Sequence, residues 1–172
     1  MTERPTDRPT DRTLVLLRHA KAEPPDNYAE DFDRPLSRRG RADAEAAGTW
    51  LASAGLVPDR VLCSASVRTR ETWLAVSAAF GPVPVTYEQS LYLSNAVEAL
   101  ELIQATDASV GTLLVIGHNP TMSVLSALLD RDGSVSGDGL HTSGLAVHRF
   151  DDVWGALDAQ GAPLLQEHTA RG

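Results

Sequence analysis

A single cysteine, Cys63, stands in a chain of 172 residues. No intrachain disulfide can form, and a reducing cytoplasm is the expected compartment. Long apolar runs are also missing. None approaches the ~20 residues of a membrane helix, and the N-terminal stretch lacks the apolar centre of a secretory signal. Positive charge is scarce, with a net charge of −8. That balance argues against nucleic-acid or anionic-membrane partners, yet leaves room for a small positive pocket. There is no P-loop lysine motif and no G-x-S-x-G serine elbow. His19, His118, His141, His148 and His168 lack the close spacing of zinc motifs, so no metal site is expected.

What is present is ordinary for a globular protein, with 42% apolar and 22% charged residues. The length suits one domain with a real core. Residues 1–12 carry RPTD twice, at 4–7 and 8–11. Proline and charge without apolar residues predict a disordered tail there, with a single domain over 13–172.

Strand and helix signals alternate. Leu14–Leu17 is a short apolar run of buried-strand type, ending at Arg18-His19. Residues 24–37 read as a polar loop with solvated acids. A helix is expected over 38–54, with Ser37 as N-cap and Gly55 as C′ residue. Its apolar stripe is Ala42, Ala46, Trp50, Leu51 and Ala54. Arg60–Cys63 reads as a strand and Val67–Phe80 as a helix, with Arg68 and Arg70 in its first turn. Cations there oppose the helix dipole, which hints at a bound anion. A strand at Val83–Tyr87 precedes a helix over 95–105, capped by Asn95, with Ala96, Val97, Leu100 and Ile103 inward. Residues 112–116 repeat the buried-strand pattern and end at Gly117-His118. Asn119 as N-cap and Pro120 at the first helical position predict a helix to about Leu129. A glycine-rich loop spans 131–139. Leu145–Phe150 reads as a last strand on which His148 points outward, and the tail after Asp151 has no clear pattern. The alternation predicts an α/β protein: a three-layer α/β/α sandwich with a mainly parallel central sheet.

Two buried-type strands each end in a histidine. If they are neighbours, His19 and His118 share one cleft with Arg18 and Arg68, at the sheet edge where parallel α/β folds bind ligands. Guanidinium groups hold phosphate through paired hydrogen bonds and stay protonated. Imidazole is a competent nucleophile near neutral pH. Such a cluster suits phosphoryl transfer.

These residues resemble a known family. Arg18-His19-Ala20 is similar to the Arg-His-Gly signature of the histidine phosphatase superfamily, which includes phosphoglycerate mutases. RHAKAE followed by PLSRRG, Ser64–Thr72, Leu91-Tyr92-Leu93 and Gly117-His118-Asn119-Pro120 resemble its short SixA-type branch of phosphohistidine phosphatases. The resemblance implies a phosphoglycerate mutase-like fold and a two-step reaction, with His19 as nucleophile. Arg18, Arg68 and His118 would hold the phosphoryl oxygens, with Asn119 and Lys21 as further substrate contacts. It selects Arg68 over Arg70, and implies no metal or organic cofactor. Larger members place an acidic proton donor after the third strand, where Glu88 is the nearest candidate. The implied partner is a phosphorylated protein or a small phosphorylated metabolite. Three alternatives stay open: a phosphomonoesterase for a metabolite or nucleotide, a mutase, and a non-catalytic phosphate-binding module. A cysteine phosphatase built on Cys63 and Arg68 lacks the required spacing and glycine-rich loop.

Overall fold

A computed structural model describes residues 11–172. The expected tail over 1–12 lies outside the described residues for 1–10, while Asp11 and Arg12 already belong to the first strand. The strands are β1 (Asp11–Arg18), β2 (Arg60–Ser64), β3 (Val85–Glu88), β4 (Thr112–Gly117), β5 (Gly144–Asp151) and β6 (Leu164–Thr169). The α-helices are α1 (Arg38–Ser53), α2 (Val67–Ser77), α3 (Ala96–Gln104) and α4 (Thr121–Leu129), with short 3₁₀ turns at Pro25–Asn27, Asp31–Asp33 and Trp154–Ala156.

One six-stranded sheet runs in the order β3-β2-β4-β1-β5-β6. The β3-β2, β2-β4 and β4-β1 pairs are parallel, and β5 and β6 add antiparallel pairs at one side. Both faces are covered. Leu14 and Leu16 pack with α3 and α4, through Leu100, Ile103, Met122 and Leu125. Val15 and Leu17 point the other way, toward Ala44, Ala47, Leu51 and Val76 of α1 and α2. Period-2 alternation within one unbroken apolar run thus feeds two cores, as a strand buried on both faces must. This is the three-layer α/β/α architecture.

Several elements differ in detail from the sequence pattern. The buried face of α1 is Gly40, Asp43, Ala44, Ala47, Gly48 and Leu51, one step round from the expected stripe. The reason is close packing: a Cβ on Gly48 would lie 2.2 Å from the Val76 carbonyl oxygen, and one on Gly40 2.0 Å from that of Lys21. Helix α2 ends at Ser77 instead of Phe80. Val97 turns outward on α3, 59% exposed, while Ala99 takes the inward place. Asn119 sits one position before the cap of α4, though its Oδ1 still accepts from the first-turn Ser123 amide at 3.3 Å. Pro120 occupies the cap position, the Asn119-Pro120 bond is cis, and Thr121 opens the helix. His148 is fully buried, between the Ser126 hydroxyl at 2.8 Å and the Ala162 carbonyl at 2.8 Å, because β6 and α4 enclose β5. The segment after Asp151 holds β6, an edge strand too mixed in polarity to show a clear alternation.

Candidate active site

The site forms where β1 and β4 end side by side. Their parallel register pairs Leu17 with Ile116 and Arg18 with Gly117, and the His19 amide donates to the Gly117 carbonyl at 3.0 Å. The next residue on each strand is a histidine. Their ring centroids lie 5.3 Å apart.

Hydrogen bonding distinguishes the two nitrogens of His19. Nδ1 is 2.7 Å from the Ala20 carbonyl oxygen. A carbonyl only accepts, so Nδ1 carries the proton and Nε2 presents its lone pair. The Ala20 amide is itself held by the Thr72 hydroxyl at 3.1 Å, which fixes the turn after the strand to α2. Arg68, in the first turn of α2, points its Nε at His19 Nε2 from 3.4 Å. Burial, the largest effect, lowers the His19 pKa to about 4, with Arg68 and Arg18 adding to it and the Ala20 bond opposing. The ring is neutral at pH 7, the form in which an imidazole can act as a nucleophile.

His118 is 8% exposed, and its Nε2 shares a 2.7 Å hydrogen bond with the Ser64 hydroxyl at the end of β2. Burial first, then the neighbouring His19 and Arg68, lower its pKa to about 3. Its Nδ1 and the Nε of Arg18 have no protein hydrogen-bond partner among the described residues. Arg18 donates through Nη1 to the Leu140 carbonyl at 3.1 Å, and burial lowers its pKa. Arg18 retains at its Nε a donor suited to a phosphoryl oxygen.

Asp31 closes this constellation from the loop before α1. Arg68 donates through Nη1 to the Asp31 carbonyl at 2.8 Å and through Nη2 to its carboxylate at 2.9 Å. The Tyr92 hydroxyl donates to the same carboxylate oxygen at 2.6 Å, and Arg34 binds the other at 2.9 Å. These bonds, Tyr92 first, hold the Asp31 carboxyl well below its ordinary range. The Tyr92 ring meets His118 edge-on at 5.4 Å and Phe32 at 5.0 Å.

The four central residues expected from sequence, Arg18, His19, Arg68 and His118, come together. The other three do not join them. Asn119 spends its side chain inside the protein, donating to the Leu140 carbonyl at 2.8 Å and accepting from the Ser123 hydroxyl at 2.8 Å. Lys21 has an exposed side chain, and only its carbonyl is engaged, by Ser37 at the start of α1. Glu88 lines a groove with Arg60, Thr86, Leu102 and Asp107, and is not among the charges acting on either histidine. Arg70 stacks its guanidinium 4.1 Å over the Tyr87 ring, outside the cluster. The residue sequence reading passed over is Asp31, one of several acids in a loop taken as solvated. Its available signal was Arg34, three positions on, an ion-pair spacing.

A half-buried neutral imidazole beside two arginines, at the carboxyl end of a parallel sheet, defines an enzyme for phosphoryl groups. The family model of the histidine phosphatase superfamily (branch 1) matches residues 14–92. An uncharacterized protein of Mycobacterium tuberculosis is 37% identical over 165 residues, covering 90% of this chain and all of the relative. The candidate phosphohistidine phosphatase SixA from Nakamurella multipartitia superposes with a TM-score of 0.82 at 34% identity, over 93% of this chain and 96% of that one. A counterpart from Agrobacterium tumefaciens gives 0.77 at 33% identity, over 91% and 97%. The protein histidine phosphatase SixA complexed with tungstate shares the fold at 22% identity and a TM-score of 0.78, over 91% and 96%. The chain belongs to the histidine phosphatase superfamily, in its SixA-type branch, and is a phosphatase with a phosphoglycerate mutase-like fold.

Proposed function

We propose that this phosphatase acts on phosphohistidine in proteins, through residues 13–172 working as one domain. The observation that carries the reading is His19 itself: a ring fixed by its Nδ1 bond to Ala20, with the Nε2 lone pair directed at the Arg68 guanidinium, whose Nε lies 3.4 Å away. Nε2 attacks phosphorus, the bond to the leaving group breaks with its electron pair going to that group, and phosphohistidine forms on the enzyme. Water then attacks the same phosphorus and releases inorganic phosphate and neutral His19. Arg18, Arg68 and His118 hold the equatorial oxygens, where positive charge and aligned donors count most in the transition state.

The likeness to SixA structures above 30% identity supports the substrate class. So does the absence, among the described residues round the histidines, of a carboxyl group whose pKa would let it donate a proton. A phosphoramidate needs less such help than an alkyl ester. The net charge of −8 supports a protein partner over nucleic acid, and the lone buried Cys63 supports action in the cytoplasm.

The test is a substrate panel scored by kcat/KM: a phosphohistidine peptide, phosphoserine, a nucleotide and a sugar phosphate. Phosphohistidine should lead, and a small ester in first place would make the protein a metabolite phosphomonoesterase. His19→Ala should release no phosphate from any of them. Robust turnover by that variant would remove His19 as nucleophile.

A further inference from the structure

Asp31 is an unusual neighbour for a phosphate site. A carboxylate beside an incoming dianion repels it, and this one is ionised throughout the neutral range. Orienting Arg68 explains part of its presence. Binding Nη1 and Nη2 of that guanidinium turns the Nε edge toward His19. Yet the Asp31 carbonyl already holds Nη1 without any negative charge. The charge calls for its own account.

The position of Asp31 supplies one. Its side chain is 49% exposed, while that of Arg68 is only 8% exposed. Asp31 therefore forms the solvent-side rim one guanidinium away from the nucleophile. In an in-line displacement the leaving group lies across phosphorus from His19, away from the strand end and toward solvent. Groups on the rim meet that leaving group. A carboxylate there opposes an alkoxide or phenoxide, which gains negative charge as the bond breaks. It favours a leaving group that arrives as a cation.

Resting on the phosphohistidine reading above, we infer that Asp31 is a specificity-determining residue that selects N-phosphoimidazole substrates, by accepting a hydrogen bond from the protonated leaving imidazole. An imidazole ring titrates near neutrality, so a carboxylate beside it holds the second proton in place. The phosphorylated ring binds with that proton on its distal nitrogen. When His19 attacks, the P–N bond breaks, its electron pair returns to the ring nitrogen, and neutral imidazole departs with its proton. Asp31 ends as it began, a carboxylate. Two of its oxygen lone pairs face Arg68 and Tyr92, and one faces Arg34, which leaves acceptor capacity on the exposed edge.

The experiment compares kcat/KM on a phosphohistidine peptide and on p-nitrophenyl phosphate for the wild type, Asp31→Asn and Asp31→Glu. Asparagine keeps an acceptor for Arg68 and Tyr92 but removes the charge. The ratio of phosphohistidine to aryl phosphate should fall about tenfold in Asp31→Asn, as expected for losing one charge-assisted hydrogen bond, and should largely return in Asp31→Glu. Equal losses on both substrates would reduce Asp31 to a support for Arg68 and overturn the inference, as would failure of glutamate to restore the ratio. A phosphoarginine peptide separates a cationic ring from a guanidinium; wild-type preference for it would also overturn the assignment. If the wild type ignores phosphohistidine but cleaves the aryl ester, the functional reading itself fails. If it prefers phosphohistidine and Asp31→Asn keeps that preference, only the role of Asp31 fails.

Discussion

Two arginines in the first turn of α2 illustrate how far residue type alone can be trusted. Arg68 and Arg70 are two positions apart, about 200° on a helix, so they face nearly opposite ways. Arg68 is 7% exposed and bonded to His19 and Asp31. Arg70 reaches the Ala65 carbonyl and the Tyr87 ring. Arg68→Ala should lower kcat/KM on any substrate by about 100-fold or more, on the scale of losing a donor to the transition-state oxyanion. Arg70→Ala should cost less than tenfold, and the two variants measured side by side decide the register. The family resemblance of Ser64–Thr72 selects Arg68 over Arg70; the helical pattern does not, since it places both in the same first turn. Asp31 escaped because its one local signal, Arg34 three positions on, serves Glu30 four positions before that arginine equally well. Its meaning comes from Arg68, 37 residues away in the chain.

At the level of elements, legibility followed burial. β1 and β4 were readable because a strand buried on both faces must be apolar throughout. Their adjacency was not, since several strand orders satisfy the same pattern, and it took the register of Arg18 with Gly117 to bring the histidines together. Helix α1 was found, but its inward face was misjudged by one residue. A search for large apolar side chains overlooks a surface made of glycine. That surface matters: α1 and α2 touch where Gly48 meets the Val76 carbonyl. Gly48→Ala should force the helices apart and destabilise the protein by about 3 kcal/mol, at the upper end of ordinary overpacking, despite alanine's better helix propensity. Thermal unfolding of this variant measures it. An unchanged or raised Tm would mean that the crossing yields.

Across the whole molecule, three histidines set the response to acid. His19 and His118 have pKa values lowered from 6.5 to about 4 and about 3, and burial lowers that of His148 too. Below pH 6.5 the unfolded chain takes up protons that the folded chain refuses. Stability therefore falls steadily from pH 6.5 toward pH 4, by on the order of 3 kcal/mol for each of His19 and His118. Asp31 and Asp130 act in a separate window. Their lowered values stabilise the fold above pH 3.8 and are lost only as the pH falls through them. Urea unfolding at pH 7, 5.5 and 4.5 should show the first decline well before carboxylates titrate, and equal midpoints at all three would contradict it.

Cys63 is fully enclosed at the end of β2, and burial pushes its thiol up to about 12. It will not compete for a maleimide or an iodoacetamide under ordinary labelling conditions. The glycine-rich loop offers a complementary position, since a Cβ on Gly137 meets nothing within 4 Å. A cysteine installed there would carry a fluorophore alone, without first removing the native thiol. Because the same loop ends at Leu140, whose carbonyl receives both Arg18 and Asn119, that dye would sit a few residues from the contact that holds Arg18. The wild-type sequence is already a ready background for a single-dye sensor of phosphate arriving in the site.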